Sequence, residues 1–146
     1  MQAGQHLMSE EQTQRIIVNY FAGQRYRVIE RCIDDPTQFS DITRCRTHNI
    51  FGIDVVAQDR TELWVTEVKG ETKGGLAACT STFMAGMGQI LTRMTRIDSH
   101  IHYALAVPNT DCFATSVRKF INSPVLPLLN LSFILVREDG IIEFLR

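Results

Sequence analysis

The segment from Gly52 to Lys73 restricts the fold of this chain more than any other part of the sequence. Two short apolar stretches, joined by a polar turn over residues 58–62, are typical of two successive strands. Because side chains alternate between the faces of a strand, Glu67 and Lys69 share one face. The second stretch begins apolar on both faces, as central strands covered on each side do. Glu67 and Lys69 are therefore expected at the rim of a core, where a charged side chain needs a partner or a function.

Asp54, on the first stretch, adds a second carboxylate to this rim. Hydrolysis of a phosphodiester needs a hard divalent cation, which is usually held by one or two carboxylates together with water and substrate phosphate. Asp54 and Glu67 are the candidate ligands for such an ion, Mg²⁺ or Mn²⁺. Lys69 is placed to orient the attacking water and to add positive charge. These three residues form the candidate catalytic set.

The arrangement resembles the PD-(D/E)xK nuclease family, which includes restriction endonucleases, Holliday-junction resolvases and RecB-like exonuclease domains. The motif stands here as Ile53-Asp54 and Glu67-Val68-Lys69, with Ile53 in the place of the family's proline. The resemblance implies a restriction-endonuclease-like core, in which a central mixed β-sheet is flanked by α-helices. It also implies a metal-dependent deoxyribonuclease, and the small size of the chain favours a structure-selective enzyme of a resolvase or repair type that works as a homodimer.

The same residues allow a second interpretation. Opposite charges often alternate at the end of a surface strand, so Glu67 and Lys69 can also form a solvated ion pair without catalytic function. The alternative to a nuclease is a noncatalytic nucleic-acid-binding or assembly module that keeps the fold. Binding of a divalent ion by Asp54 and Glu67 distinguishes the two interpretations.

A first helix is predicted after Ser9, because Ser9 and Gln12 form a capping box. Several branches of the nuclease family carry an acidic residue on this helix that faces the site. Glu10, Glu11 or Gln14 can stand there, and their spacing does not choose among them. Acidic residues in a first helical turn are also explained by the helix dipole alone.

A second helix is predicted over residues 76–96. Its apolar positions, expected to face the core, are Met84, Met87, Leu91 and Met94. Gln89, Arg93 and Arg96 form a polar stripe on the opposite face. RecB-like members place a glutamine on this helix beside the site, so the resemblance implies a catalytic role for Gln89, while Arg93 replaces the family's tyrosine. An ordinary exposed helix face explains the stripe equally well.

DNA is the expected partner, and RNA is not excluded. The formal net charge of −1 means that a nucleic-acid surface has to be a local basic patch. Five basic residues are candidates for phosphate contacts: Arg44, Arg46, Lys73, Arg93 and Arg96. The loop that carries the first two is polar and irregular, and a solvated loop without function is an equally good explanation of it.

The predicted order of elements is helix, strand, strand, strand, helix, strand, helix, strand, strand, which gives an α/β fold. The strand over 101–107 follows a helical crossover and is expected to run parallel to the Glu67 strand. With 146 residues, the chain is expected to form a single domain, 1–146, with a flexible tail at residues 1–8. The sequence shows no membrane span and no secretory leader, and its four cysteines form no metal-binding pattern. All four cysteines are expected to be reduced thiols in a cytoplasmic protein.

Overall fold

The computed structural model describes residues 6–146, so residues 1–5 of the predicted tail lie outside the described part. Met8, within the same predicted tail, is buried. Its backbone N–H donates to Glu71 Oε2 at 2.6 Å, and its carbonyl accepts from the N–H of Glu71 at 2.8 Å. The prediction of a free tail is therefore wrong at Met8, because the loop after the third strand holds this residue in place.

Six strands and four helices form the part of the chain from residue 6 onward. In chain order they are α1 (Glu10–Gly23), β1 (Arg27–Cys32), β2 (Ile53–Gln58), β3 (Leu63–Val68), α2 (Gly75–Arg93), β4 (Ile101–Pro108), α3 (Asp111–Phe120), α4 (Val125–Leu129), β5 (Leu131–Val136) and β6 (Ile142–Leu145). Two short 3-10 turns, Pro36–Gln38 and Ile42–Arg44, lie in the loop between β1 and β2. The predicted order is confirmed, with α4 added before β5. None of the helices described is long and apolar enough to cross a membrane.

All six strands form one mixed sheet, in the order β1-β2-β3-β4-β5-β6. The strands β1, β2 and β3 are antiparallel neighbours, β3, β4 and β5 run parallel, and β6 returns antiparallel to β5. Two parallel neighbouring strands have to be joined by a crossover connection. When successive right-handed crossovers proceed in one direction across a sheet, their helices lie on the same face of it. The predicted mixed sheet flanked by helices is confirmed, and so is the parallel pairing of β3 with β4.

Helix α1 covers one face of the sheet. The capping box of Ser9 and Gln12 is present, and the helix ends at Gly23. Ile17 and Phe21 are buried against a core that includes Trp64 and other residues of β2 to β5. Because β3 alternates, Trp64 faces α1, while Glu67 points to the opposite face.

Helix α2 covers that opposite face together with α3. Its buried residues are Phe83, Gly86, Met87 and Ile90, with Cys79 nearer its start. The predicted core stripe is wrong at two positions, since Met84 is 50% exposed and Leu91 is 47% exposed. No Asp, Glu, Lys or Arg occurs from Gly74 to Thr92, so the helix is apolar or weakly polar all round. Apolar periodicity therefore does not select the buried face here.

Two of the four cysteines form a disulfide. Cys79 of α2 is bonded to Cys112 of α3, while Cys32 and Cys45 are free and buried. The prediction of reduced thiols is wrong for the bonded pair. The two residues are 33 positions apart, and they meet because α2 and α3 lie side by side on one face of the sheet. Sequence spacing does not reveal such a contact.

Candidate active site

Adjacent strands bring Asp54 and Glu67 together. The antiparallel register pairs Val55 with Thr66, so the next facing positions toward this end of the sheet are Asp54 and Glu67. Asp54 Oδ2 accepts a hydrogen bond of 2.8 Å from the N–H of Val68, which anchors one of its oxygens. The structure thus brings the two carboxylates together, as predicted.

Glu67 is a carboxylate inside the core, with only 2% of its surface exposed. Burial, the negative charge of Asp54 and a hydrogen bond with the Asp54 carboxyl raise the pKa of Glu67 to about 7, while Arg93 acts in the opposite direction. Two carboxyl groups that face each other in a buried place do not both ionise easily. Between them they attract a proton or a cation at neutral pH.

Arg93 is the residue that contacts Glu67 from the helix side. Its Nε donates to Glu67 Oε1 at 2.8 Å, and its side chain is partly buried. Arg93 is the last residue of α2, which ends three residues earlier than predicted. The guanidinium therefore lies at the candidate site and is not part of an outer basic face.

The predicted stripe of Gln89, Arg93 and Arg96 is consequently not a single surface. Arg96 lies beyond the end of α2, and its Nη2 is 3.1 Å from Asp98 Oδ2. Gln89 is exposed, and among the described residues its side-chain amide makes no hydrogen bond to Asp54 or Glu67. The long polar side chain that α2 supplies to the carboxylates is that of Arg93, where the family resemblance pointed to Gln89.

Lys69 immediately follows β3 and is held by its backbone, whose N–H donates to the carbonyl of Ala106 at 2.9 Å. Its aliphatic stem runs past α2 at Gly86. A Cβ added at Gly86 would lie 3.1 Å from Lys69 Cγ and 2.7 Å from Leu105 Cδ1. Gly86 thus provides the space in which the Lys69 side chain packs. No sequence signal points to this role, because Gly86 is one of several small residues in α2.

Glu10 is the acidic residue of α1 that is coupled to the site. Partial burial raises the pKa of Glu10, the positive charge of Lys69 lowers it, and the negative charge of Asp54 raises it. The Glu10 carboxylate is therefore within electrostatic reach of two of the candidate catalytic residues. Glu11, by contrast, is exposed, and its Oε1 is 3.4 Å from Arg15 Nη2.

Gln14 supports the site from one turn further along α1. It is buried, and its Nε2 donates to Glu30 Oε1 at 2.9 Å and to the carbonyl of Asp54 at 3.3 Å. Gln14 thus contacts the backbone carbonyl of Asp54 rather than its carboxylate. The alternatives that the sequence left open are resolved by position: Glu10 and Gln14 face this region, and Glu11 does not.

Gly70 explains how the start of α1 comes so close to Lys69. A Cβ on Gly70 would lie 2.1 Å from the backbone nitrogen of Glu10 and 2.5 Å from the carbonyl carbon of Ser9. Only glycine permits this contact, because both obstructing atoms belong to backbone. The sequence feature that signals this is the Glu-Val-Lys-Gly ending of the motif strand.

Gly70→Ala is expected to displace the start of α1 and to destabilise the fold by about 1–3 kcal/mol, as overpacking of backbone does. Urea denaturation followed by circular dichroism measures this change. Gly88→Ala is the matched control. A Cβ at Gly88 meets nothing within 4 Å, so alanine in this helical position should stabilise by about 0.5–1 kcal/mol. Equal stability of Gly70→Ala and wild type would show that α1 does not rest on Gly70.

The donor set at this place suits a hard cation. Asp54 and Glu67 offer carboxylate oxygens, and Mg²⁺ is usually bound by one or two carboxylates plus water. Within residues 6–146, no group of three or more His, Cys, Asp or Glu side chains is arranged to hold a metal ion. Because Asp54 and Glu67 offer only oxygen donors, the pair fits Mg²⁺ or Mn²⁺ rather than a thiolate- or imidazole-bound metal such as zinc.

The remaining candidates for phosphate contacts lie in two loops. Arg44 and Arg46 are exposed in the loop before β2, and the Arg46 guanidinium is 2.8 Å from Asp34 Oδ1. Lys73 is exposed in the loop after Lys69, where it lines a groove of about 960 Å³ between that loop, α2 and α3. The loop of Arg44 and Arg46 thus precedes β2, the strand that carries Asp54. The loop of Lys73 follows β3, the strand that carries Glu67.

Comparison with known proteins gives a fold but no family. No protein-family model matches the chain, and no curated protein matches it either. A solved structure of an XisH family protein from Nostoc punctiforme PCC 73102 matches with a TM-score of 0.53 and 16% sequence identity, over 92% of this chain and 99% of that one. A FdxN element excision controlling factor protein from Anabaena variabilis matches with a TM-score of 0.52 and 14% identity, over 93% and 99% of the two chains. The chain therefore shares the α/β fold of these two proteins along almost its whole length.

Proposed function

We propose that this protein is a divalent-metal-dependent nuclease of the PD-(D/E)xK type that hydrolyses phosphodiester bonds within DNA. The observation that carries the proposal is the facing pair of Asp54 and Glu67, in which burial and the Asp54 charge raise the pKa of Glu67 to about 7. The buried Glu67 carboxylate beside the half-buried Asp54 carboxylate is costly for a fold that has no use for the pair. A bound cation would remove that cost.

In this proposal Asp54 and Glu67 hold Mg²⁺ or Mn²⁺, which supplies Lewis acidity and lowers the pKa of a bound water. The hydrogen bond from the N–H of Val68 fixes the Asp54 carboxylate, so its geometry does not depend on a long, mobile side chain. Lys69 orients the attacking water and adds positive charge near the scissile phosphate. Glu10, which is coupled electrostatically to both Lys69 and Asp54, contributes a further carboxylate to this edge.

Arg93 acts on the site through Glu67. Its Nε holds Glu67 Oε1, which fixes the orientation of the buried carboxylate. Within the described residues its other guanidinium nitrogens make no hydrogen bond, so they can offset negative charge on the substrate, as Arg does at phosphate sites. We therefore assign to Arg93 the supporting role at the site, and leave Gln89 as a residue of the exposed helix surface.

The names of the two structural neighbours give limited support to DNA as the substrate. One is named as an XisH family protein and the other as an FdxN element excision controlling factor protein. We take control of excision as favouring a DNA-related role for this chain, in repair, recombination or restriction. We also propose that the protein acts as a homodimer, as structure-selective nucleases of small size commonly do.

A noncatalytic nucleic-acid-binding or assembly module is the second candidate function, and the Arg93–Glu67 ion pair favours it. A guanidinium bound to the buried carboxylate already supplies positive charge there. If this ion pair is purely structural, the pair of carboxylates needs no metal. The two candidates differ in whether a divalent ion binds and whether DNA is cut.

The test is incubation of the full chain with Mg²⁺ or Mn²⁺ and a panel of labelled linear duplex, single-stranded and four-way-branched DNA, with matched RNA. Cleavage of at least one DNA substrate that stops on addition of chelator is the expected result. Sedimentation of the same preparation measures whether it is a dimer. A protein that binds members of the panel but cuts none with either ion would support the noncatalytic module.

A further inference from the structure

A short turn just before the catalytic strand β2 exposes two large apolar side chains. Ile50 is 74% exposed and Phe51 is 68% exposed. Neighbouring apolar residues that point into solvent are costly, and they commonly mark a binding surface. The metal-site proposal gives neither residue a role.

The turn is not a loose loop, because His48 holds it from within. His48 Nδ1 accepts hydrogen bonds from the backbone N–H groups of Ile50 at 3.0 Å and Phe51 at 3.2 Å. The Phe51 ring stacks on the His48 imidazole, with the ring centroids 5.1 Å apart and the planes inclined by 29°. The aromatic ring is thus fixed in an exposed position before any partner arrives.

Both ends of the turn are attached to β1. The N–H of His48 donates to the carbonyl of Arg31 at 3.0 Å, and Thr47 forms a bridge with Cys32. At the other end Gly52 has a φ of +117°, and a Cβ there would lie 2.6 Å from the carbonyl oxygen of Cys32. Gly52 therefore lets the chain pass close to β1 and enter β2. The strand that carries Asp54 and the exposed turn form one rigid unit.

Phe51 lies close to the candidate metal site. Asp54 follows Phe51 by three positions in the sequence. An extended chain covers at most roughly 3.3–3.6 Å per residue, so the two Cα atoms are no more than about 11 Å apart. Successive nucleotides of one duplex strand are about 3.4 Å apart along the helix axis. A phosphate bound at Asp54 thus places the bases of the next few nucleotides within reach of Phe51. The exposed residue Arg44 belongs to the same loop and carries positive charge suited to the backbone, whereas Arg46 in that loop is paired with Asp34.

We propose that the turn of residues 48–51 is a base-stacking wedge: Phe51, with Ile50 beside it, stacks on an unpaired base of the DNA strand whose phosphate lies at Asp54. This inference rests on the proposed function and specifies its substrate class as DNA with an unstacked or single-stranded region. Aromatic platforms of this kind bind bases without regard to sequence. Apolar wedges that enter a base step also favour DNA that is already distorted.

A protein partner is the less suitable occupant of this turn. Stable protein interfaces bury about 800 Å² on each partner, which is much more than two neighbouring side chains offer. A single base needs only one exposed aromatic face, and the turn provides it. The ordered backbone of the turn also suits a small flat ligand, since no conformational entropy has to be lost on binding.

The test compares Phe51→Ala and Phe51→Trp with wild type and with Leu128→Ala, an equally exposed apolar residue of α4 (72%). The probe is a single-stranded oligonucleotide containing 2-aminopurine, with a blunt duplex of the same sequence, in chelator so that neither is cut. Phe51→Ala should weaken binding of the single strand about tenfold and abolish the quenching of 2-aminopurine. Phe51→Trp should keep both, Leu128→Ala should match wild type, and all four melting temperatures should agree because the replaced side chains are exposed.

Failure of this inference differs from failure of the nuclease proposal. If Phe51→Ala binds the single strand as wild type does while wild type cuts DNA, the wedge is overturned and the nuclease stands. If Phe51→Ala loses binding and wild type cuts nothing with Mg²⁺ or Mn²⁺, the wedge stands without catalysis. If wild type binds no nucleic acid, the wedge is overturned. If Phe51→Ala alters only the sedimentation of the protein, the wedge is overturned and the turn is assigned to contact between copies of the chain.

Discussion

Asp54→Asn, Glu67→Gln and Lys69→Ala are each expected to reduce metal-dependent DNA cleavage by about a thousandfold or more. Under the proposed function, the first two remove a carboxylate that would hold the ion, and the third removes a positive charge that would lie beside the scissile phosphate. Loss of one electrostatic group in an active site typically costs about 10²–10³ in rate, and loss of a metal ligand removes several effects together. Single-turnover cleavage of the best substrate in the panel, with enzyme in excess, measures the chemical step directly.

These three variants need controls of the same chemistry elsewhere in the chain. Asp111→Asn, Glu143→Gln and Lys119→Ala make the same changes at exposed positions of α3 and β6. They should cleave as wild type does. The active-site variants should also keep the circular dichroism spectrum of wild type, because asparagine and glutamine are close in shape to the carboxylates that they replace and Lys69 lies just beyond the end of β3. Cleavage by Glu67→Gln within about threefold of wild type would reduce Glu67 and Lys69 to a structural ion pair and sink the catalytic assignment.

In the absence of divalent metal, removal of the Asp54 charge is expected to stabilise the fold. Asp54 is one of the causes that raise the pKa of Glu67 from 4.5 to about 7. Asparagine keeps an oxygen that can accept from the N–H of Val68, so Asp54→Asn removes the repulsion and retains the hydrogen bond. A gain of about 1 kcal/mol is expected for one relieved charge pair, which corresponds to a rise in Tm of about 2–4 °C for a chain of this size.

The raised pKa of Glu67 also predicts how the stability of wild type depends on pH in the presence of chelator. The folded state holds the Glu67 proton up to about pH 7, whereas the unfolded chain releases it near 4.5. Where the folded state binds more protons, the free energy of unfolding falls as pH rises. The stabilisation by this proton is complete below about pH 4.5 and is lost by the time pH passes 7, a change of up to about 3 kcal/mol. Urea denaturation of wild type and Glu67→Gln at a series of pH values isolates this contribution.

Added Mg²⁺ should reverse the penalty in wild type, because an ion that binds only the folded state stabilises it. The Tm of wild type should therefore rise with Mg²⁺ at pH 8, while that of Asp54→Asn should barely change. Glu143→Gln, which alters an exposed carboxylate, should follow wild type in both conditions. A wild-type Tm that is indifferent to Mg²⁺ and Mn²⁺, together with an Asp54→Asn variant less stable than wild type, would contradict the metal site before any cleavage is measured.

Local sequence alone was sufficient to predict the elements and the central pair of carboxylates. Strand alternation, the capping box at Ser9 and the crossover rule depend on residues near one another in the chain, and the structure confirms the order of elements and the parallel pairing of β3 with β4. Asp54 and Glu67 could be predicted to meet because a short turn joins their strands. A short turn fixes which residues face each other.

The tertiary structure decided which faces of the helices pack against the sheet, and therefore which distant residues come into contact. The residues of α2 from Gly75 to Thr92 are uncharged, so their pattern did not show which side of the helix is buried. Phe83 and Ile90 pack against the sheet, while Met84 and Leu91 are exposed. This orientation of the helix places Arg93 against Glu67. Three further contacts join segments that are far apart in sequence: the disulfide between α2 and α3, the electrostatic coupling of Glu10 to Lys69, and the close approach of the start of α1 to Gly70. Such contacts arise from packing elements into a shared core, and no local pattern of residue types encodes them.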